Sequence, residues 1–246
     1  MKACLLVPVY NHGDTLPSVL EAVADFGVPC VVVDDGSDGP TRRALDAVPL
    51  RFPWATIERL PRNGGRGAAL RHGYRAAARA GFSHAVQIDA DGQHCAADVP
   101  RFLVAARRDP SALVLGQPAF DASAPRARRY GREISRFWVA VETLSRAVGD
   151  PLCGFRAVPL EPALVLLAKS PLGDRMEFDP ELTVRRVWRG WPIVHVATRV
   201  VYPPGGRSNF RLVDDNVRIS RMHARLVAGM LARAPRLLRA RAGRRG

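Results

Sequence analysis

Short apolar runs alternate with longer stretches of helical periodicity through the first half of the chain. The strand-like runs are ACLLVPV (3–9), PCVVVD (29–34), ATIERL (55–60), HAVQID (84–89) and ALVLGQ (112–117), with helical patterns near 14–26, 40–48, 66–80 and 97–108. That alternation predicts an α/β fold with a parallel sheet and crossover helices. The first, second and fourth runs end in polar clusters: Tyr10-Asn11, Asp34-Asp35-Gly36-Ser37 and Asp89-Ala90-Asp91. Ligands of open α/β sheets sit just beyond the carboxyl ends of the strands, so the three clusters should converge on one crevice.

The second half is less regular. A long helical pattern covers 126–148, DPLCGFRAVP (150–159) reads as a loop entering a short strand, and residues 179–190 form a helix. Asp179 is placed to cap that helix, Pro180 suits its first turn and Gly190 its end. A strand-like run, WPIVHVATRVVY (191–202), and a glycine-rich loop, PPGGRSNFR (203–211), follow. Residues 213–234 read as an amphipathic helix with Arg218, Arg221 and Arg225 in one stripe. Val213, Ile219, Met222, Leu226, Val227, Met230 and Leu231 lie on the opposite arc. Pro235 is expected to end it, leaving a flexible tail. The division expected is a principal domain over 1–211 and a basic appendage over 212–246.

Charge sharpens this division. The 246 residues carry 37 basic and 23 acidic side chains, a net +14, and twelve arginines against Asp214 and Asp215 place about +10 of it between Arg199 and Gly246. Phosphate groups, an anionic membrane surface, or an arginine-rich composition without a partner each account for that asymmetry. A helix of this kind could lie on anionic lipid with its apolar face in the interface. No apolar run approaches the roughly 18 residues of a membrane span, so membrane contact is expected to be peripheral. Cys4, Cys30, Cys95 and Cys153 show neither CxxC nor zinc-ribbon spacing and read as free thiols of a reducing cytoplasm. The six histidines form no HExxH pattern, and the four tryptophans no RNA-binding one, so zinc and nucleic acid are not expected.

Asp89 and Asp91 carry the candidate chemistry. Hard oxygen ligands attract Mg²⁺ or Mn²⁺, and such an ion takes one or two carboxylates while substrate phosphates complete its shell. Two acids at a strand end could equally be a solvated turn, so the pair needs a nucleotide-binding partner. Gln93 is an added oxygen donor. NGGRGAALRHGYRAA sets Gly65 and Arg66 just before a helix N-terminus, where amides and a guanidinium favour phosphate. Tyr10 can meet a base, and Asp34 or Asp35 can accept from a base N–H.

In this order and spacing the motifs VPVYNHGDTL, VVVDDGSDGPT, NGGRG, DADGQ, DPLCGFR and EFDPELTVRRVWRGWPIVHV resemble the family 2 glycosyltransferases of GT-A fold. They are most similar to the branch that contains dolichyl-phosphate and polyprenyl-phosphate sugar transferases. The resemblance runs from about residue 3 to residue 211. It implies a Rossmann-like mixed, mostly parallel sheet flanked by helices, and an inverting, metal-dependent transfer from a nucleotide-diphosphate sugar to a lipid or lipid-phosphate acceptor at the inner membrane face.

The same resemblance implies a set of site residues. Pro8, Tyr10, Asn11, Asp34, Asp35, Gly65, Arg66 and Asp89 would bind nucleotide; Asp89, Asp91 and Gln93 would bind Mg²⁺ or Mn²⁺. Glu181, Asp91 and Arg156 would serve catalysis, with Glu181 the base if the acceptor is a hydroxyl and Glu177 and Asp179 nearby. Arg132, Ser135, Arg136, Arg207 and Ser208 would meet the acceptor, and Arg129 is a further candidate. The chain departs from the family pattern at His12, where many relatives have glutamate, at Arg66, a usual lysine, and at Asn209, also often lysine. A sugar-nucleotide nucleotidyltransferase and a non-catalytic GT-A scaffold are the alternatives; the first lacks its N-terminal glycine-rich signature here, and the intact acids disfavour the second.

Overall fold

The computed structural model describes residues 1–120, 126–202 and 209–242. In chain order the elements are β1 (Ala3–Val9), α1 (Leu16–Val23), β2 (Cys30–Asp34), α2 (Gly39–Arg51), β3 (Ala55–Arg59), α3 (Arg66–Arg79), β4 (His84–Gln87) and α4 (Val99–Arg108). Then come β5 (Leu113–Phe120), α5 (Arg126–Thr143), β6 (Arg156–Pro159), α6 (Leu160–Lys169), α7 (Phe178–Trp188), β7 (Ile193–Val200), α8 (Leu212–Leu231) and α9 (Ala234–Ala242).

The strands form one sheet in the order β3-β2-β1-β4-β6-β5-β7. β1 pairs in parallel with both β2 and β4, and β5 with β7, while β6 runs antiparallel between β4 and β5. The sheet is therefore mixed and mostly parallel. The chain steps outward from β1 through β2 to β3, then returns to the other side of β1 as β4. This reversal opens a crevice at the carboxyl ends of β1 and β4. The central strands are buried on both faces, so they read as continuous β-branched runs rather than as alternating ones.

Successive residues still divide between two cores. Leu5, Val7, Val32 and Val86 pack under α1, α2 and α4, while Cys4, Leu6, Val31 and Val33 pack under α3 and α6 to α8. β5 extends past the expected 117 to Phe120 because β7 pairs with it along its whole length. α6 was not visible in the pattern: Leu160, Ala163 and Leu166 are buried, but their neighbours are also apolar, so the helix shows little contrast in sequence.

Of the apolar arc that could either lie on lipid or pack on its own domain, Met222, Leu226 and Met230 are buried in the domain core beside Val139 of α5 and Trp188 of α7. Helix burial of this kind is the ordinary outcome for an apolar arc that finds a sheet-backed partner. Residues from Ala234 to Ala242, expected to be a flexible tail, form α9, and Leu237 joins the same core. Pro235 sits in the first turn of that helix, where its missing N–H has no cost.

Candidate active site

At the crevice, Tyr10 and Pro8 of the β1 end, Asp35 after β2, Gly65 and Arg66 at the start of α3, and Asp89, Asp91 and Gln93 after β4 line one cleft of about 1100 Å³. Arg132 and Ser135 of α5 line it too. The structure thus brings together most of the residues singled out from sequence, drawn from five separate segments.

The acids differ in their surroundings. Asp89 Oδ1 accepts from Arg66 Nη1 at 2.6 Å, and its Oδ2 lies 3.3 Å from His94 Nε2. Burial would push this carboxyl up, but Arg66 and then His94 outweigh it and hold Asp89 well below the usual carboxylate range. Among the described residues Asp91 Oδ1 accepts only the Gln93 backbone N–H, at 3.1 Å. Burial first, and then the negative charge of Asp89, push Asp91 up. Asp35 is consumed by structure: its Oδ1 accepts from Gly64 N at 2.8 Å, and its Oδ2 from Gly65 N at 2.8 Å and Asn63 Nδ2 at 2.9 Å. Burial pushes it up, and those amides offset part of the shift.

Arg66 is the hub of the cleft floor. Its Nε donates to Asp179 Oδ2 at 2.9 Å while its Nη1 serves Asp89. Burial opposes its charge, yet Asp89 and Asp179 together raise its pKa further, so it stays a cation. Gly65 permits the approach with φ 99°, a backbone that disfavours any side chain, and a Cβ there would also meet Arg175 Cγ at 2.5 Å. Across the floor a Cβ on Gly154 would overlap Asp89 Oδ2 and Arg66 Nη2, so glycine is required by close packing. Behind these groups Gln87 Nε2 donates to Gly154 O at 2.9 Å, and Tyr74 Oη donates to Gln87 Oε1 at 2.8 Å.

Other expected residues lie elsewhere. Asn11 adopts φ 57° and pins two loops, its Oδ1 accepting from Asp38 N at 2.9 Å. Asp34 is buried, and its Oδ1 accepts from Ser37 N at 2.8 Å in a local turn. Arg136 pairs with exposed Glu133 at 2.8 Å. Arg207 and Ser208 lie outside the described residues. Arg156 is fully buried beneath the cleft, donating through Nη2 to Cys153 O at 2.6 Å and Pro151 O at 3.1 Å. It holds the site's floor rather than facing a ligand.

The largest revision concerns Glu181. It is fully buried, does not line the cleft, and accepts from Arg185 Nη2 at 2.8 Å, Gly173 N at 3.1 Å and Arg225 Nη2 at 3.3 Å. Four N–H donors from three residues thus occupy its carboxylate away from the cleft. Asp179, expected to cap α7, is instead within the first turn, and the N-cap is Glu177 with no side-chain cap bond. The Asp179 carboxylate reaches the cleft, where it meets Arg66 and lies 3.2 Å from Arg156 Nη1. Glu181→Gln should therefore leave sugar transfer within about threefold and lower the melting temperature, since a buried charge-assisted network is weakened by roughly 1.5–3 kcal/mol per bond. A loss of a hundredfold or more in kcat with an unchanged melting temperature would restore Glu181 as a catalytic base.

Sequence reasoning missed Arg175, which lines the cleft, and read Asn209 only as a departure from the family pattern. Asn209 Nδ2 donates to Tyr10 O at 2.9 Å, tying the start of the last helical segment to the end of β1 across 199 residues. No local pattern encodes such a contact.

The donor set fits a hard divalent ion in part. Among the described residues no group of three His, Cys, Asp or Glu side chains could hold a metal alone. Two adjacent carboxylates in an open cleft, one with an oxygen that has no protein partner among the described residues, match an ion whose remaining ligands are phosphate and water.

A mixed, mostly parallel sheet with acids and a buried arginine at its switch point is the frame of a glycosyltransferase of GT-A fold. The family model described as Glycosyl transferase family 2 matches residues 4–156, and the chain belongs to that family. It is 32% identical over 119 residues to the undecaprenyl-phosphate mannosyltransferase of Micrococcus luteus, covering 47% of this chain and 48% of that protein. It is 32% identical over 105 residues to the polyprenol monophosphomannose synthase of Mycolicibacterium smegmatis, covering 42% and 40%. The matches span about half the length of these relatives. Among solved structures, glucosyl-3-phosphoglycerate synthase of Mycobacterium tuberculosis in complex with Mn²⁺, UDP-glucose and phosphoglyceric acid has a TM-score of 0.66 at 21% identity, covering 93% of this chain and 79% of that one. A mannosyltransferase of Pyrobaculum calidifontis in complex with GDP-Man and Mn²⁺ has a TM-score of 0.61 at 20% identity, covering 98% and 75%. At that identity the likeness is one of fold.

Proposed function

We propose that this protein is an inverting, metal-dependent glycosyltransferase that moves a sugar from a nucleotide-diphosphate donor to a lipid-phosphate acceptor at a membrane surface. The observation that carries the reading is a single cleft lined both by Asp89, Asp91 and Arg66 and by Ile134 and Trp138 of α5 and Ile219 and Val227 of α8. The names of the two mannosyl-transferring relatives and the Mn²⁺ complexes of the structural neighbours support it.

Asp89, Asp91 and Gln93 would hold Mg²⁺ or Mn²⁺, which when bound neutralises charge on the leaving nucleoside diphosphate. Arg66 stays cationic between Asp89 and Asp179 and keeps those carboxylates oriented. Tyr10 and Asp35 wall the region for the base and ribose. A phosphate acceptor is already anionic and needs no general base, which agrees with the burial of Glu181. The test is a panel of UDP-, GDP- and dTDP-sugars with Mn²⁺ or Mg²⁺ and a polyprenyl phosphate. One donor should give organic-phase product that EDTA abolishes; chelator-resistant transfer would remove the metal from the reading.

Membrane contact is supported by a surface that shares Val213, Arg218 and Arg221 with the one expected and adds side chains of α5. Tyr130, Ile134 and Phe137 of α5 and Leu212, Val213 and Val217 of α8 are exposed large apolar side chains, and Arg218 and Arg221 are exposed on the same α8. No described helix is long and apolar enough to cross a membrane. The double variant Phe137→Asp, Leu212→Asp should reduce co-sedimentation with anionic vesicles about tenfold or more, with an unaltered fold by circular dichroism. Equal sedimentation of variant and wild type would reject this surface.

A further inference from the structure

The cleft also holds a buried Glu–His contact that none of the chemistry above uses. Glu142 of α5 is fully buried, and its Oε1 lies 2.6 Å from His223 Nδ1 of α8. Its Oε2 is buried with no partner among the described residues. Trp188 Nε1 fixes the same turn of α5, donating to Glu142 O at 2.8 Å. His223 is 6% exposed and lines the cleft with Trp138, whose ring centroid is 6.2 Å from the imidazole. Its Nε2 has no hydrogen-bond partner among the described residues.

A buried carboxylate is costly unless a counter-charge lies beside it, and the imidazole is the group at hydrogen-bond distance. The Glu142 contact at Nδ1 fixes the ring and leaves Nε2 as the nitrogen available to a ligand in the cleft. On the same two helices the cleft is lined by Ile134, Trp138, Ile219 and Val227, together with Ser135, Asn216 and Ser220. Arg211 lines the same cleft nearer the start of α8. The cleft therefore presents an oriented imidazole and the Arg211 side chain beside apolar side chains of α5 and α8. This is complementary to an amphiphile with a single chain and an anionic oxygen.

We propose that His223, held by Glu142, is a binding residue for the phosphate of a single-chain lipid monophosphate whose hydrocarbon lies between α5 and α8. His223 would contact the ligand; Glu142 is a positioning residue that fixes the ring. As a statement about substrate this rests on the lipid-phosphate reading above, but binding is measurable without donor, metal or turnover.

The test is calorimetric titration of the full chain, without metal, with dodecyl phosphate below its micelle concentration, dodecan-1-ol and inorganic phosphate. Wild type should bind dodecyl phosphate at least tenfold more tightly than either other probe. His223→Ala should lose that preference, binding dodecyl phosphate at least tenfold more weakly and dodecan-1-ol within twofold of wild type. Glu142→Gln, near-isosteric and so least disruptive to folding, should also lose it. The double variant should be no worse than His223→Ala, because the two residues act as one unit. A merely structural pair would lower affinity for both chain-bearing probes together. That result, equal binding of phosphate and dodecyl phosphate by wild type, or displacement of dodecyl phosphate by UDP or GDP would overturn the proposal. If no donor in the panel supports transfer while dodecyl phosphate still binds through His223, the catalytic reading fails and this site stands.

Discussion

Asp91→Asn should reduce sugar transfer by at least about a thousandfold, equivalent to roughly 4 kcal/mol of lost transition-state stabilisation, while leaving the fold intact. Asp91 is the acid to change first because its carboxylate is tied to the protein by a single backbone bond, from Gln93. Asp89 is different: it anchors Arg66 at 2.6 Å, so its removal also strips a buried guanidinium of a partner. Asp91 sits partly buried beside a second negative charge, so its neutralisation removes repulsion from the folded state. Asp91→Asn is accordingly expected to melt at or above the wild-type temperature, whereas Asp89→Asn should melt lower. Mn²⁺ binding followed by electron paramagnetic resonance in the presence of nucleoside diphosphate supplies the second readout. Wild-type Mn²⁺ affinity in Asp91→Asn would refute the assignment of this acid to the metal.

Arg156→Met should cost about 3–5 kcal/mol of stability, a drop of roughly 10 °C in melting temperature for a chain of this size. The guanidinium is fully buried, so solvent does not screen the loss. Its removal leaves Pro151 O and Cys153 O without a strong donor and Asp179 with Arg66 and a long bond from Gln87. Lysine should rescue little, because one ammonium cannot reproduce the planar fork that reaches these carbonyls. Transfer should fall only in proportion to the folded fraction if Arg156 holds the floor. Differential scanning calorimetry separates the cases: a stable Arg156→Met protein with abolished turnover would make Arg156 a ligand-facing residue after all.

Much of the candidate site was legible because strand ends announce themselves. Val31 to Val33 followed by Asp34 and Asp35, and Ala85 to Ile88 followed by Asp89 and Asp91, mark where a buried parallel strand stops and polar groups begin. The roles within those clusters were harder to read. Asp34 and Asp35 look alike in sequence, yet the first closes a local turn and the second clamps the loop before α3. Glu142 carried a signal that could have been read: it falls on the same face of α5 as Ser135, Trp138 and Val139, where a solvated acid does not belong. Its partner could not be read, because His223 lies 81 residues away.

The sequence by itself determined the strands, the crossover pattern and the crevice at the ends of β1 and β4, since burial on two faces selects β-branched runs and glycine and acid residues mark their ends. Only the tertiary structure decided which charges are free. Glu181 and Asp179 are two residues apart on one helix, but α7 turns the first toward Arg185 and Arg225 and the second toward Arg66, which is 113 residues distant. Periodicity assigns a residue to a face of its own element; the partner that neutralises a buried charge comes from whichever element the packing brings against that face.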